Sequence, residues 1–369
     1  MKLPLIVIFA FAVSINGWIA DKFKHSGMTY TNDKYCNVSY SSERSFDSIK
    51  NMADVGVNWV AIVVTQYQKK HNTTEIFPLW NAIKSQDGYY DYVTSKDSDL
   101  EAIINKAHEL GMKVMLKPHI DIIDDPKYWR GDIGEDFSEQ NWSEWFDSYG
   151  NMMLNYARLS ESNKVEMLSM SCELITASER EQEWRSLINK VRSTYNGLIT
   201  SSANWGWLNA TGGEDTKKKW WDAVDIIGID AYYNVYSDEV ENYHHVMKLY
   251  EPVVERIKFL HEKFKKPCIF TEIGFCSGDC KRGSTSSEKM QNLQAIWYQG
   301  VMESFLPYQE WFYGFYWWNW VTDAAYGGPD DVCLTPQSKP AQQVLRKYYH
   351  SVKPPPKRPE YKPICVCTA

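Results

Sequence analysis

The sequence predicts an α/β fold, a single (β/α)8 TIM barrel, from three observations. Apolar runs of strand length alternate with helix-patterned segments, eight times over. The apolar runs are near-continuous rather than alternating, as strands buried on both faces are. Most end in a cluster of amide, carboxylate or aromatic residues, and the C-terminal strand ends are where a parallel barrel carries its chemistry.

Gly27–Thr31 reads as the first strand, and Ser41–Asp54 as a helix with Phe46, Ile49, Met52 and Ala53 on one face. Trp59–Val64 is a strand ending in Thr65 and Gln66. A long loop with Pro78 and Asp87-Gly88 leads to a helix over Ser98–Leu110, stopped by Gly111. Met112–Leu116 is the third strand, ending Lys117-Pro118-His119-Ile120-Asp121. The Trp142–Leu159 helix follows, then the strand Val165–Cys172, tipped by Glu173. Glu181–Tyr195 is helical, Leu198–Ala203 is a strand ending Asn204-Trp205, and Val224–Ile229 ends at Asp230 and Tyr232. After the Val240–Phe264 helix, Cys268–Thr271 is tipped by Glu272. A helix over Glu288–Phe305, a strand over Tyr313–Trp318 and a helix over Lys339–His350 complete the set. Such crossovers are right-handed, so all strands run parallel. Residues 22–350 therefore form one catalytic domain, and 351–369, with Pro354-Pro355-Pro356, an extended tail.

Met1-Lys2 and the apolar run Leu3–Val13 read as a secretory signal peptide over residues 1–17. That run is shorter than the roughly 20 residues a membrane span needs, and no later stretch matches one, so a secreted, extracellular protein without a membrane partner is expected. Asn37, Asn72, Asn141 and Asn209 each begin an Asn-X-Ser/Thr sequon, expected on surface loops. Cys276 and Cys280 are close enough to staple one loop by a disulfide, whereas Cys172 and Cys268 fall in strands as buried thiols. The net charge of -7 argues against nucleic acid. Sixteen Trp and 24 Tyr exceed what a core alone asks for, and those near strand ends are expected to line a cleft.

The strand ends present Gln66, His119, Asp121, Glu173, Asn204, Trp205, Asp230, Tyr232, Glu272, Trp318 and Trp320. No glycine-rich phosphate cradle, His-Glu-X-X-His helix or Cys-X-X-Cys pair occurs, and the His244-His245 doublet falls on a helix as a solvated face. No metal or organic cofactor is expected. Glu173 and Glu272, on strands four and seven, would face one another across the barrel mouth. Paired carboxylates suit glycoside hydrolysis. One is protonated, with a raised pKa, to release the glycosidic oxygen; the other is an anion beneath the anomeric carbon, about 5–5.5 Å away in a retaining enzyme.

Several motifs in register from Ser26 to His350 resemble glycoside hydrolase family 113, of the retaining clan A. These are Lys117-Pro118-His119-Ile120-Asp121, Trp129-Arg130-Gly131, Cys172-Glu173-Leu174 with Trp184-Arg185, and Ser202-Ala203-Asn204-Trp205. Gly228–Tyr232, Thr271-Glu272-Ile273-Gly274 and Lys339-Pro340-Ala341 complete them. The resemblance implies an endo-acting β-1,4-mannanase on β-linked oligo- or polysaccharide of mannan type, working as a monomer. By position Glu173 would be the acid/base and Glu272 the nucleophile, with Tyr232 bonded to the nucleophile. Trp318 or Trp320 would floor the cleaved sugar's subsite, and His119, Asn204 and Trp205 would line the cleft, with Gln66 and Asp230 at the neighbouring strand ends. One departure stands out: Cys172 occupies the position where much of the clan carries an asparagine that holds the 2-hydroxyl, so Asn204 is expected to take that contact. A β-mannosidase or β-glucanase would use the same two glutamates. An inactive carbohydrate-binding protein is the alternative from another class, and retention of both glutamates argues against it.

Overall fold

A computed structural model describes residues 23–32, 38–84, 91–206, 208, 213–279 and 285–350. The signal peptide, Asn37, the Asp87-Gly88 turn, Asn209, Cys280 and the tail lie outside them. Eight strands form the barrel: β1 His25–Thr31, β2 Trp59–Gln68, β3 Lys113–Ile122, β4 Met167–Cys172, β5 Leu198–Asn204, β6 Ile227–Asp230, β7 Cys268–Ile273 and β8 Phe312–Val321. Each pairs in parallel with the next, and β1 pairs with both β2 and β8, which closes the sheet. The helices are α1 Glu43–Ala53, α2 Asp97–Glu109, α3 Glu139–Ser162, α4 Glu181–Arg192, α5 Glu214–Lys217, α6 Tyr243–Phe264, α7 Glu288–Phe305 and α8 Pro340–Tyr349. The expected (β/α)8 barrel is the observed architecture. No helix among the described residues is long and apolar enough to cross a membrane.

Two strands run further than their apolar stretches. β2 and β3 pair over ten residues, from Trp59↔Lys113 to Gln68↔Ile122. The polar end of β3 stays in the sheet because Lys117 finds partners across the barrel, and that of β2 because Gln66 and Gln68 bond outward to Tyr156 and Trp145 of α3. The loop after β2 adds a short strand, Ile76–Phe77, antiparallel to Tyr67–Gln68, and a hairpin of Ile83–Lys84 with Asp91–Tyr92. Among its described residues, the connection from β5 to β6 carries the single turn α5 and a 3-10 turn at Trp221–Ala223.

Strand alternation sets what faces inward. Trp59, Ala61, Met115, Met167, Ile226, Ile269 and Tyr316 form one apolar plug at the barrel floor. Two residues on from Met115 comes Lys117, then His119, then Asp121, all on the inward phase of β3. The larger core packs the outer strand faces against the helices. Seven of the 16 tryptophans are fully buried there: Trp145, Trp184, Trp220, Trp221, Trp297, Trp317 and Trp320.

Three strands break the alternation near their C-terminal ends. Between Ser169 and Cys172, β4 spends three residues against two of β5. Between Phe270 and Glu272, β7 spends two against one of β6. Between Trp317 and Trp320, β8 spends three against two of β1. Each is a one-residue bulge, which re-aims the side chains that follow it. Gly314 has φ +145, and a Cβ there would sit 2.0 Å from the His25 carbonyl oxygen, so no larger residue fits where β8 meets β1.

Candidate active site

The bulge in β7 turns both Thr271 and Glu272 into the barrel. Glu272 is buried, and both its oxygens are held: Oε1 by the Lys117 ammonium, and Oε2 by the Tyr232 hydroxyl at 3.1 Å. Lys117 is 0% exposed and also reaches Asp230 Oδ1 at 3.0 Å. Asp230 accepts from Thr271 Oγ1 at 2.7 Å as well. One buried ammonium thus serves two carboxylates, and their attraction keeps Lys117 charged, with its pKa raised despite full burial.

Glu173 follows the bulge in β4 with φ +55, the left-handed region a non-glycine residue seldom enters. Its N–H donates to the Ser202 carbonyl at 2.9 Å, which fixes that conformation. Strain of this kind gathers at functional sites. The nearest cation is Arg130, whose Nη1 lies 3.9 Å from Glu173 Oε2. Burial pushes the Glu173 carboxyl up to about 8, the charges of Asp230 and Glu272 push the same way, and Arg130 and Lys117 pull back. Glu272 is raised too, by burial and by Asp230, against the pull of Lys117. Lys117 touches Glu272 directly, and Glu173 has no cation as close. The first proton to leave this pair therefore leaves Glu272.

Arg130, on the loop after β3, joins the residues around Glu173. It donates to Asp121 Oδ1 at 2.5 Å, His119 Nδ1 at 3.1 Å and Cys172 Sγ at 3.3 Å. Because Nδ1 of His119 accepts, its proton sits on Nε2, which lies 3.8 Å from Glu272 Oε1. The His119 ring lies parallel to that of Trp318, with centroids 6.1 Å apart and planes at 10°. The Cys172 thiol, kept protonated by burial, donates to Asp230 Oδ2 at 3.5 Å. Donor atoms of His119, Cys172 and Glu272 lie within 4.8 Å of one another, as do those of Cys172, Glu173 and Asp230. Such a set could ligate a metal, but the Lys117 and Arg130 cations already neutralise its carboxylates.

Glu173, Glu272, Tyr232, His119 and Trp318 come together at the mouth. Asn204 lies on the inward phase of β5, with its backbone N–H held by Glu214 Oε2 at 2.7 Å. Trp205 is half-buried, its ring tilted against Tyr233 at 6.2 Å. Three expected positions differ. Gln66 falls on the outward phase of β2 and donates to Tyr156 of α3 at 3.1 Å, so it packs the helix layer. Trp320, past the bulge in β8, is buried against α1 with its Nε1–H on Ser48 Oγ at 3.0 Å, so of the two tryptophans Trp318 is the one beside His119. Asp230 is 0% exposed and bonded to Lys117, Thr271 and Cys172, so it supports the site from behind. Asn141 is not on a loop: it stands in the first turn of α3, its Oδ1 accepting from Ser138 N–H at 3.1 Å. Cys172 and Cys268 are buried free thiols, as expected. Lys117 and Arg130 were not singled out from the sequence. A lysine directly after an apolar strand run was the available signal.

A family model described as Glycoside Hydrolase Family 113 matches residues 28–329. No curated protein matches the chain. Among solved structures, one GH113 β-1,4-mannanase is 26% identical, with 89% of this chain and 99% of that one covered, at a TM-score of 0.71. The GH113 β-mannanase AaManA from Alicyclobacillus acidocaldarius, solved in complex with ManMIm, is 25% identical over 90% and 98% of the two chains, at a TM-score of 0.69. An endo-β-1,4-mannanase from Thermotoga petrophila, 12% identical over 89% and 77% at a TM-score of 0.53, shares the fold. Spanned from β1 to the loop after β8 by that family model, this chain is a glycoside hydrolase and belongs to family 113.

Proposed function

We propose that the chain is a secreted, retaining endo-β-1,4-mannanase with Glu173 as acid/base and Glu272 as nucleophile. The observation that carries the roles is the contrast between the two carboxyls. Glu272 has a donor on each oxygen, Lys117 and Tyr232, whereas the Glu173 carboxyl is pushed up to about 8. Paired carboxyls held in environments that separate their pKa values are the signature of an acid and an anion working together. The mannan preference rests on the two family 113 structures at 26% and 25% identity, a β-1,4-mannanase and a β-mannanase.

In the first step Glu173 gives its proton to the glycosidic oxygen as Glu272 bonds to the anomeric carbon and the leaving sugar departs. In the second, the Glu173 carboxylate takes a proton from water, whose oxygen displaces Glu272 and restores both groups. Two carboxyls and a water balance the cycle. Tyr232, whose phenol burial keeps protonated, holds the Glu272 oxygen that is not attacking. Trp318 floors the sugar. The Cys172 proton is committed to Asp230, so the 2-hydroxyl contact passes to Asn204.

Residues 1–17 direct secretion in this reading, Cys276 and Cys280 close the loop after β7, and the exposed Asn72 carries a glycan. The test is hydrolysis of β-mannan, glucomannan, β-glucan, xylan and short mannosides, with Glu272→Ala as control. Mannooligosaccharides released by the wild type only are expected. Single mannose units alone would indicate an exo-acting mannosidase, and β-glucan cleavage alone would move the substrate. Glycan binding without hydrolysis would overturn the enzyme reading.

A further inference from the structure

A cavity of about 520 Å³ lies beside the catalytic pair, between the loops after β6 and β7. Tyr232 is its shared wall: it lines the cavity and also donates to Glu272. Gly274, two residues past Glu272, lines it too. A Cβ on Gly274 would come 2.6 Å from the Trp318 carbonyl oxygen, so only glycine lets this loop lie against the platform strand. The cavity and the cleft are thus built from one continuous stretch of wall.

The lining has the composition of a sugar subsite. Tyr236, Phe275 and Leu334 give apolar surface, and Asp279 a carboxylate. The Tyr236 ring stacks on Trp297, with centroids 5.1 Å apart and planes at 26°, yet the residue is 45% exposed. One face is therefore fixed by packing and much of the ring is open. A preset aromatic face beside a few polar groups, in a cavity of about 300–1,000 Å³, is how proteins hold small polar ligands with apolar faces. Hexose rings are such ligands. Cys276 lines the same cavity.

We infer that this cavity is a further subsite, in which the Tyr236 ring stacks under one more hexose of a substrate chain already lying across Glu173 and Glu272. The inference rests on the glycosidase reading and adds to it a preference for longer chains. Binding energy gathered on a remote sugar is expressed at the reacting centre, so it raises kcat/KM for chains long enough to reach it and for no others.

The test is a chain-length series, from an aryl β-mannoside and mannobiose to mannohexaose, on wild type, Tyr236→Ala and Tyr236→Phe. In Tyr236→Ala, kcat/KM for the longest chains is expected to fall by about tenfold or more, while the aryl mannoside stays within about twofold. Tyr236→Phe keeps the ring and is expected to keep the preference for length. Thermal melts and aryl mannoside turnover report whether the alanine variant is folded; if it is not, loss of the length preference in Asp279→Ala, set against its retention in Tyr236→Phe, carries the test. An equal loss at every chain length, or none, overturns the subsite alone. A folded wild type that turns over no member of the series overturns the mannanase reading, and the subsite with it.

Discussion

Replacing Lys117 with methionine removes the one ammonium that serves two buried carboxylates. Lys117 is 0% exposed, in contact with Glu272 and 3.0 Å from Asp230. Methionine keeps most of the volume and loses the charge. A charged hydrogen bond is worth about 1.5–3 kcal/mol, which is about one to two pKa units on Glu272. The Glu272 pKa is already above the usual carboxylate range, so the acid limb of the kcat/KM profile moves up by that amount. The basic limb, set by Glu173 near 8, moves up by less, because Lys117 pulls on Glu173 more weakly than Arg130 does. The active window narrows from its acid side, and kcat/KM on that limb falls by about 10- to 100-fold. Stability falls as well, since breaking a buried pair costs about 3–5 kcal/mol. Adding Asp230→Asn removes one of the two stranded charges, so it should recover part of that stability and, because Asp230 raises Glu272, part of the acid limb. The assay is a pH–rate profile with a thermal melt for each variant. An unmoved acid limb, with kcat/KM within about threefold of wild type, would refute the claim that Lys117 keeps Glu272 ionised.

Tyr232→Phe keeps the ring and loses the 3.1 Å bond to Glu272, so kcat should fall by about 10- to 100-fold with KM little changed in steady-state kinetics. Glu173→Gln should abolish the fall in kcat/KM that wild type shows as pH rises through about 8, measured on a substrate with a good leaving group. The sign follows from the role: below that pH the carboxyl is protonated and can act as an acid, and above it the proton is gone. Gly314→Ala should lower the melting temperature by several degrees, because its Cβ would lie 2.0 Å from the His25 carbonyl at φ +145.

The eight strand–helix units were legible because parallel strands buried on both faces are continuous apolar runs, and helices beside them keep a 3.6-residue period. The strand-ending carboxylates were legible for the same reason: Glu173 and Glu272 interrupt apolar stretches that tolerate little charge. The bulges were not. One extra residue in β4, β7 or β8 leaves no mark in composition, yet it decides that Glu272 faces inward and that Trp320 packs against α1. Gln66 was misplaced by position at a strand end, when the parity of β2 puts it on the helix side. Lys117 read as the start of a polar strand end, whereas β3 continues to Ile122 and buries the lysine between carboxylates that come from strands far along the chain. Such pairing is a tertiary fact. Asn141 matched a sequon by pattern, but the same asparagine closes a capping box at the start of α3.

The central claim is the division of roles between the two glutamates, and azide reads it most directly. With an activated aryl β-mannoside, Glu173→Ala plus azide should yield the β-mannosyl azide, because azide attacks the covalent intermediate from the side the acid/base has vacated. Glu272→Ala plus azide should yield the α-azide, because azide then takes the nucleophile's place. An α-azide from Glu173→Ala and a β-azide from Glu272→Ala would contradict the account and exchange the two roles.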